Sequence, residues 1–135
     1  MILDSSVLIA GERRGETVRQ MMDRVRAAVG DTESALSAMS ILELTHGIYR
    51  AKAQAEREGR RAFVEELVRD MIVHPVSVAI SQLAGRIEGE QAAKGNSIAV
   101  VDLVIGATAL HLGFDVVTLN VKHFAAIPRL KVVTI

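Results

Sequence analysis

The stretch IAVVDLVIGATALHLGFDVVTLN, residues 98–120, decides the fold of this 135-residue chain. Asp102 is followed by apolar residues with no polar face at the helical period, which predicts a helix buried on most sides and ending at Gly113. Three small residues of this helix allow close packing: Gly106, Ala107 and Ala109. The β-branched run 115–119 then predicts a core strand whose carboxyl end carries Asn120.

Length and charge limit the class of protein. A chain of 135 residues is expected to form a single domain, residues 1–135. It has 16 basic and 16 acidic residues, which gives a formal net charge of +0. This overall charge does not indicate a nucleic-acid binder, so binding of nucleic acid would need a local patch of basic residues. The hydrophobic fraction of 50% suggests that a second copy or another protein covers part of the apolar surface.

Composition also excludes several kinds of site. Aromatic residues make up 3% of the chain, which disfavours platforms for base stacking. With no cysteine, disulfides, thiolate nucleophiles and cysteine-ligated zinc are excluded. The first residues contain no basic segment or apolar run typical of a signal peptide or membrane span, so a cytoplasmic protein is expected.

Apolar periodicity predicts strands alternating with helices. The first half of the chain is predicted to contain a strand at 1–3, a short helix to Ala10, a turn between Gly11 and Gly15, a helix at 16–29, a weak strand at 34–39 and a helix from Ser40. A charged solvent-facing segment at 52–61, broken at Gly59, and an amphipathic stripe at 63–72 follow. The remaining predicted elements are a strand at 72–76, a helix at 77–94 and a strand at 132–135. This alternation predicts an α/β fold with a mostly parallel central sheet and helices on both faces.

Four polar residues are expected at one edge of that sheet. Asp4 and Asn120 each end a strand, whereas Glu43 lies in the first turn of a helix and Asp102 opens one. Helices that return antiparallel to the strands begin where the strands end, and open parallel sheets bind ligands at that edge. The sequence therefore predicts that the four side chains face a common site.

Each acid also has a purely structural interpretation. Asp4 and Asp102 could cap helices, and Ser40 with Glu43 matches a capping box. Three such carboxylates among apolar neighbours would, however, bring like charges together, and a divalent cation relieves that repulsion. Carboxylate and amide oxygens without cysteine or paired histidines suit Mg²⁺, with Mn²⁺ as a substitute, rather than zinc.

Other motifs do not account for the chain. There is no Walker A sequence, no G-x-G-x-x-G and no G-x-S-x-G. Glu43-Leu-Thr-His46 is a single E-x-x-H, whereas a di-iron bundle needs two. The histidines are therefore given no functional role, and a metal-activated water is expected to cleave a phosphodiester bond.

The ordered set of motifs resembles the PIN-domain ribonucleases, specifically toxins of the VapC type. The resemblance rests on Asp4 in ILDSSVLI, Glu43 in SILELTHG, Asp102 in DLVIGATAL and Asn120 in VTLNVKHF. It implies a PIN-like three-layer fold and assigns Asp4, Glu43 and Asp102 as the catalytic acids, which also bind the metal ion together with Asn120. Many PIN enzymes carry a fourth Asp where this chain has Asn120, a departure that weakens the case for a second metal ion. Ser6 matches a polar position that can bind metal through water.

The resemblance further implies an Mg²⁺- or Mn²⁺-dependent endoribonuclease acting on structured RNA such as tRNA or rRNA. It also implies a VapB-type antitoxin as partner and a homodimer or higher assembly. Basic residues that could contact RNA, or could simply be solvated, are Arg13, Arg14, Arg50, Lys52 and Arg86. Two alternatives stay open: a catalytically silent binding partner within an antitoxin–DNA complex, and a metal-dependent phosphatase, which would need a second Asp where Ser6 stands.

Overall fold

The computed structural model describes residues 1–135 and contains one sheet of five strands. The strands are β1 (Ile2–Leu3), β2 (Ala35–Ser37), β3 (Ile72–His74), β4 (Val116–Thr118) and β5 (Val132–Thr134). The helices are α1 (Ser5–Arg13), α2 (Val18–Val29), α3 (Ala38–Arg50), α4 (Gln54–Asp70), α5 (Val78–Ala93), α6 (Val100–Leu112) and α7 (Val121–Phe124). The predicted alternation of strands and helices is confirmed.

The strand order, β3-β2-β1-β4-β5, creates a topological switch point. All four neighbouring pairs are parallel, as the βαβ pattern of the sequence predicts. The chain adds strands on one side of β1 as far as β3 and then crosses to the other side with β4. In open parallel sheets, the crevice beyond the carboxyl ends of the strands at such a reversal is the usual ligand site. That crevice lies here between the ends of β1 and β4.

Two hydrophobic cores show that helices cover both faces of the sheet. Successive strand residues alternate between the cores: Ile2 and Val116 belong to one, whereas Leu3 and Val117 belong to the other. The first core includes apolar residues of α5, α6 and α7, and the second those of α1 to α4. Because both faces are buried, the strands consist of continuous apolar residues rather than alternating ones.

The predicted central helix, α6, is buried as expected. Seven consecutive residues, 103–109, are buried. A Cβ atom at Gly106 would come within 2.5 Å of the Ile127 side chain, so the glycine permits a close approach to the segment after α7. Gly113 ends the helix in the left-handed conformation with φ 70°, where glycine avoids the steric cost of a side chain.

Two glycines lie inside helices, although one was predicted to border a turn and the other to break a charged segment. Gly11 belongs to α1, and a Cβ atom there would lie 3.0 Å from the Met21 side chain, so close packing against α2 accounts for this glycine. Gly59 belongs to α4, which is held in place by buried Phe63 and Leu67. A glycine in a helix costs only about 1 kcal/mol, and tertiary packing exceeds that cost here.

The third helix also begins earlier than predicted. Ser37 caps α3 and accepts a hydrogen bond from the Met39 amide, so the helix starts at Ala38 rather than at Ser40. Glu43 therefore lies in the second turn, and the proposed capping box of Ser40 and Glu43 is wrong. The Ser40 hydroxyl is fully buried and has no hydrogen-bond partner.

None of the seven helices combines the length and the apolar character that a span of a lipid bilayer requires.

Candidate active site

Asp4 lies at the end of β1, where three donors hold one of its carboxylate oxygens. Its Oδ2 atom accepts hydrogen bonds from the Ser6 hydroxyl at 2.6 Å and the Thr118 hydroxyl at 2.7 Å, and a longer one from the Ser6 amide at 3.4 Å. The residue is buried, and hydroxyl donors are what a buried carboxylate requires. Asp4 does cap α1, as its structural interpretation predicts, but it has further partners that a cap does not need.

The two hydroxyls are themselves fixed by backbone amides beyond β4. Ser6 Oγ accepts a hydrogen bond from the Leu119 amide at 3.0 Å, and Thr118 Oγ1 accepts one from the Asn120 amide at 2.9 Å. Each hydroxyl therefore accepts a hydrogen bond from a backbone amide and donates its own hydrogen bond to Asp4. No protein donor binds Oδ1, so the second oxygen of Asp4 is available to a ligand at the switch point.

Asp102 lies in the first turn of α6 but does not cap it. The N-cap residue is Ala99, and no side chain caps this helix, so the structural interpretation of Asp102 as a cap is wrong. Its side chain is only 16% exposed. Burial raises the pKa of the Asp102 carboxyl above its usual range, and the negative charge of Asp4, followed by that of Glu43, raises this pKa further.

His123, in α7, contacts the same carboxylate. Its Nδ1 atom lies 3.2 Å from Asp102 Oδ2, and this contact lowers the Asp102 pKa without cancelling the raised value. His123 was given no functional role from the sequence, which did not indicate this contact with Asp102. The contact holds one oxygen of Asp102 and leaves the other without a protein donor.

Glu43 reaches the site from α3. Its side chain is partly buried, and it contributes to the raised pKa of Asp102, which places its charge in the same region. It also lines a cavity between α1, α3 and α4. The earlier start of α3 therefore puts Glu43 in the second turn of the helix without removing it from this edge.

Asn120 follows β4 directly, as the N-cap residue of α7. Its backbone amide is bound to Thr118, but its side chain is exposed and makes no capping hydrogen bond. The structure thus places Asn120 at the predicted edge, with its amide group uncommitted.

The donor set is suited to a hard divalent cation. Asp4, Glu43 and Asp102 supply carboxylate oxygens, and the raised pKa of Asp102 shows that these charges repel one another. No three acidic or histidine side chains are grouped tightly enough to form a ready-made metal cage. The chemistry of the residues fits Mg²⁺, with the carboxylates facing one region rather than enclosing an ion.

Two residues of the site were absent from the sequence-based prediction. Thr118 was included only as part of a strand, and His123 was set aside. Thr118 carries a signal that could have been used, because a polar residue at the end of an otherwise apolar core strand needs a buried partner. His123 carries no such signal, since its contact depends on how α7 packs against α6.

The chain matches the family model described as "PIN domain" over residues 1–130. A protein named Ribonuclease VapC from Rickettsia bellii is 27% identical over 135 residues, covering 100% of this chain and 96% of the relative. Ribonuclease VapC10 from Mycobacterium tuberculosis is 30% identical over 131 residues, covering 97% of this chain and 90% of the relative.

A solved structure is similar over nearly its whole length. It is VapBC-5 from Mycobacterium tuberculosis, described as a member of the VapBC family of toxin–antitoxin systems. The matched chain has a TM-score of 0.75 and 27% sequence identity, and the match covers 99% of this chain and 95% of that chain. The similarity extends through all the elements that carry Asp4, Glu43, Asp102 and Asn120.

Proposed function

This chain belongs to the PIN-domain family and is of the VapC type, and from that premise we propose that it is an endoribonuclease toxin that requires Mg²⁺ or Mn²⁺. The observation that carries the proposal is the half-buried Asp102 carboxyl, whose pKa is raised by burial and by the charges of Asp4 and Glu43. Repulsion among these three carboxylates does not contribute to the stability of the fold, which favours a functional role for them. The substrate class is structured RNA such as tRNA or rRNA, as the resemblance implies.

The residues have distinct tasks in this mechanism. Asp4, Glu43 and Asp102 would hold the metal ion, with Asn120 as a further oxygen donor. A bound ion would activate the attacking water and would stabilise the negative charge that develops on the scissile phosphate. Ser6 and Thr118 fix the orientation of Asp4, and His123 fixes that of Asp102.

Purified protein with RNA tests the proposal directly. We expect Mg²⁺-dependent cleavage leaving a 5′-phosphate and a 3′-hydroxyl, which sequencing of the new 5′ ends identifies. Asp102→Asn should abolish cleavage, whereas Asp115→Asn should retain it, because Asp115 pairs with Lys131 at the opposite end of β4. Wild-type protein that binds an antitoxin and DNA but cleaves no RNA would favour the catalytically silent alternative.

We propose a VapB-type antitoxin as the protein partner and a homodimer or higher assembly. The supporting observations are the VapBC description of the similar structure and several large apolar side chains that stay exposed in the isolated chain. Four of these lie on α3 and at the starts of α5 and α6: Leu42, Tyr49, Val78 and Val100. Coexpression with the protein encoded by the adjacent open reading frame should yield a stable complex and suppress toxicity. Recovery of the chain alone, as a harmless monomer, would contradict both proposals.

A further inference from the structure

A cavity of about 330 Å³ adjoins the candidate active site. It lies between α1, α3 and α4, and Glu43 forms part of its wall. Three arginines line it: Arg13, Arg50 and Arg60. Because this cavity and the acidic site share Glu43, a ligand that occupies the cavity lies next to any group that reacts at the acids.

The three arginines differ in how far their charges are already used. Arg60 donates 2.6 Å hydrogen bonds to the Gly47 carbonyl and the Glu56 carboxylate, and it lies 3.8 Å from Glu12. Arg13 and Arg50, by contrast, are exposed and make no ion pair or side-chain hydrogen bond. Two uncommitted guanidinium groups therefore face a cavity beside the acids.

The acidic residues of the wall do not neutralise these two groups. Glu12 is paired with Arg60, and Glu43 is one of the three carboxylates of the acidic site. The chain as a whole has a formal net charge of +0, so attraction of a polyanion depends on a local arrangement such as this one.

We propose that the cavity binds a backbone phosphate of the RNA substrate, adjacent to the one that is cleaved. This inference rests on the proposed ribonuclease function and assigns Arg13 and Arg50 as the phosphate ligands. A guanidinium matches the geometry of a phosphate with two parallel hydrogen bonds. Phosphate contacts fix the register of the nucleic acid without reading its bases, so these residues position the RNA rather than select its sequence.

Salt-dependent binding tests the proposal without cleavage. Asp102→Asn serves as the background, and a fluorescein-labelled RNA hairpin serves as the probe in anisotropy titrations at several salt concentrations. Adding Arg13→Gln or Arg50→Gln should weaken binding and reduce the slope of log K against log salt by about 1 for each arginine. In the cleavage-competent protein, the same changes should raise KM more than they lower kcat.

Arg19→Gln is the matched control. Arg19 is also exposed and without an ion pair, but it lies on α2 and outside the cavity. An equal loss of the salt slope in Arg19→Gln, or an unchanged slope in the double variant Arg13→Gln/Arg50→Gln, overturns the proposal. So does unchanged RNA binding with loss of the copurifying protein partner, because the cavity would then belong to that partner.

Failure of the ribonuclease function gives a different result. If the wild-type protein cleaves no RNA while binding still depends on Arg13 and Arg50, the RNA site is supported and only the catalytic proposal falls. If the wild-type protein cleaves RNA and both arginine variants match it in KM and salt slope, the catalytic proposal survives and the phosphate site is wrong.

Discussion

The Thr118 hydroxyl donates a 2.7 Å hydrogen bond to Asp4 Oδ2. The two residues are 114 positions apart in the chain, and the bond joins the ends of β1 and β4. Thr118→Val keeps the shape of the side chain and removes this bond. The variant also leaves the Asn120 amide without its acceptor. We expect a loss of about 1–3 kcal/mol in the free energy of unfolding. We also expect Mn²⁺ affinity to fall about 10- to 100-fold, since Asp4 keeps its Ser6 donors but loses one of its two short hydroxyl hydrogen bonds.

Thr108→Val is the control for that change. Thr108 is also fully buried, and its hydroxyl donates to the Val104 carbonyl one turn earlier in α6. Its removal should cost about 1 kcal/mol or less and leave metal affinity unchanged. Isothermal titration with Mn²⁺ and urea unfolding measure both quantities. Equal metal affinities in the two variants would show that Thr118 has only a structural role.

Neutral replacements of the three acids should separate catalysis from folding. Asp4→Asn, Glu43→Gln and Asp102→Asn each remove a charged metal ligand and retain the side-chain shape, so RNA cleavage should drop at least 100-fold in each. Asp102→Asn is the most informative, because Asp102 is not a helix cap. Circular dichroism confirms folding, and a folded Asp102→Asn protein with wild-type cleavage would rule out the catalytic assignment.

The raised pKa of Asp102 predicts how stability changes with pH in the absence of metal. Between the ordinary and the raised pKa, the folded protein binds more protons than the unfolded chain, so the free energy of unfolding falls as the pH rises through that window. Asp102→Asn lacks this titration. With chelator present, the variant should match the wild type at acidic pH and exceed it in stability near neutrality. Denaturant unfolding over this pH range measures the difference.

At neutral pH, Mn²⁺ should remove the difference in stability between the wild type and Asp102→Asn. An ion that binds only the folded wild-type protein stabilises it by about 1.4 kcal/mol at ten times Kd. Asp102→Asn should gain much less, because it lacks one carboxylate ligand. A wild-type melting temperature that is the same with Mn²⁺ and with chelator would argue against a shared metal site.

Two glycine substitutions test the packing of the buried helix. In Gly106→Ala, the new methyl group meets Ile127 at 2.5 Å and Leu130 at 3.3 Å, so overpacking should cost about 1–3 kcal/mol. In Gly85→Ala, on α5, no atom lies within 4 Å of the new Cβ. That variant should be stabilised by about 0.5–1 kcal/mol through helix propensity. Thermal or urea unfolding of the pair gives the comparison.

The edge of the sheet could be predicted because strand ends and helix starts are visible as changes in periodicity. Asp4, Glu43 and Asp102 were each placed there from the local sequence, and the charges of Asp4 and Glu43 act on Asp102 in the structure. The start of α3 could not be fixed in this way, because Ser37 and Ser40 are equally suitable caps. The pairing of β2 with β3, which includes Ser37 and His74, determines where β2 ends and the helix begins.

The hydroxyl and imidazole contacts could not be predicted for a different reason. Asp4 and Thr118 come together only when β1 pairs with β4, and His123 meets Asp102 only when α7 packs against α6. Local sequence patterns contain no information about either distance. The signals that were overinterpreted, Gly11 and Gly59, are single-residue propensities that packing overrides.

The central position of β1 has a consequence for synthesis of the protein. β1 is made before both of its neighbours and can pair with β2 early, but its other neighbour, β4, is more than 110 residues away in sequence. Such long-range parallel pairing forms slowly, because the chain must close a large loop before the contact stabilises it. A nascent chain that has not yet reached Thr118 therefore lacks one of the hydrogen bonds that fix Asp4 and lacks the completed acidic edge.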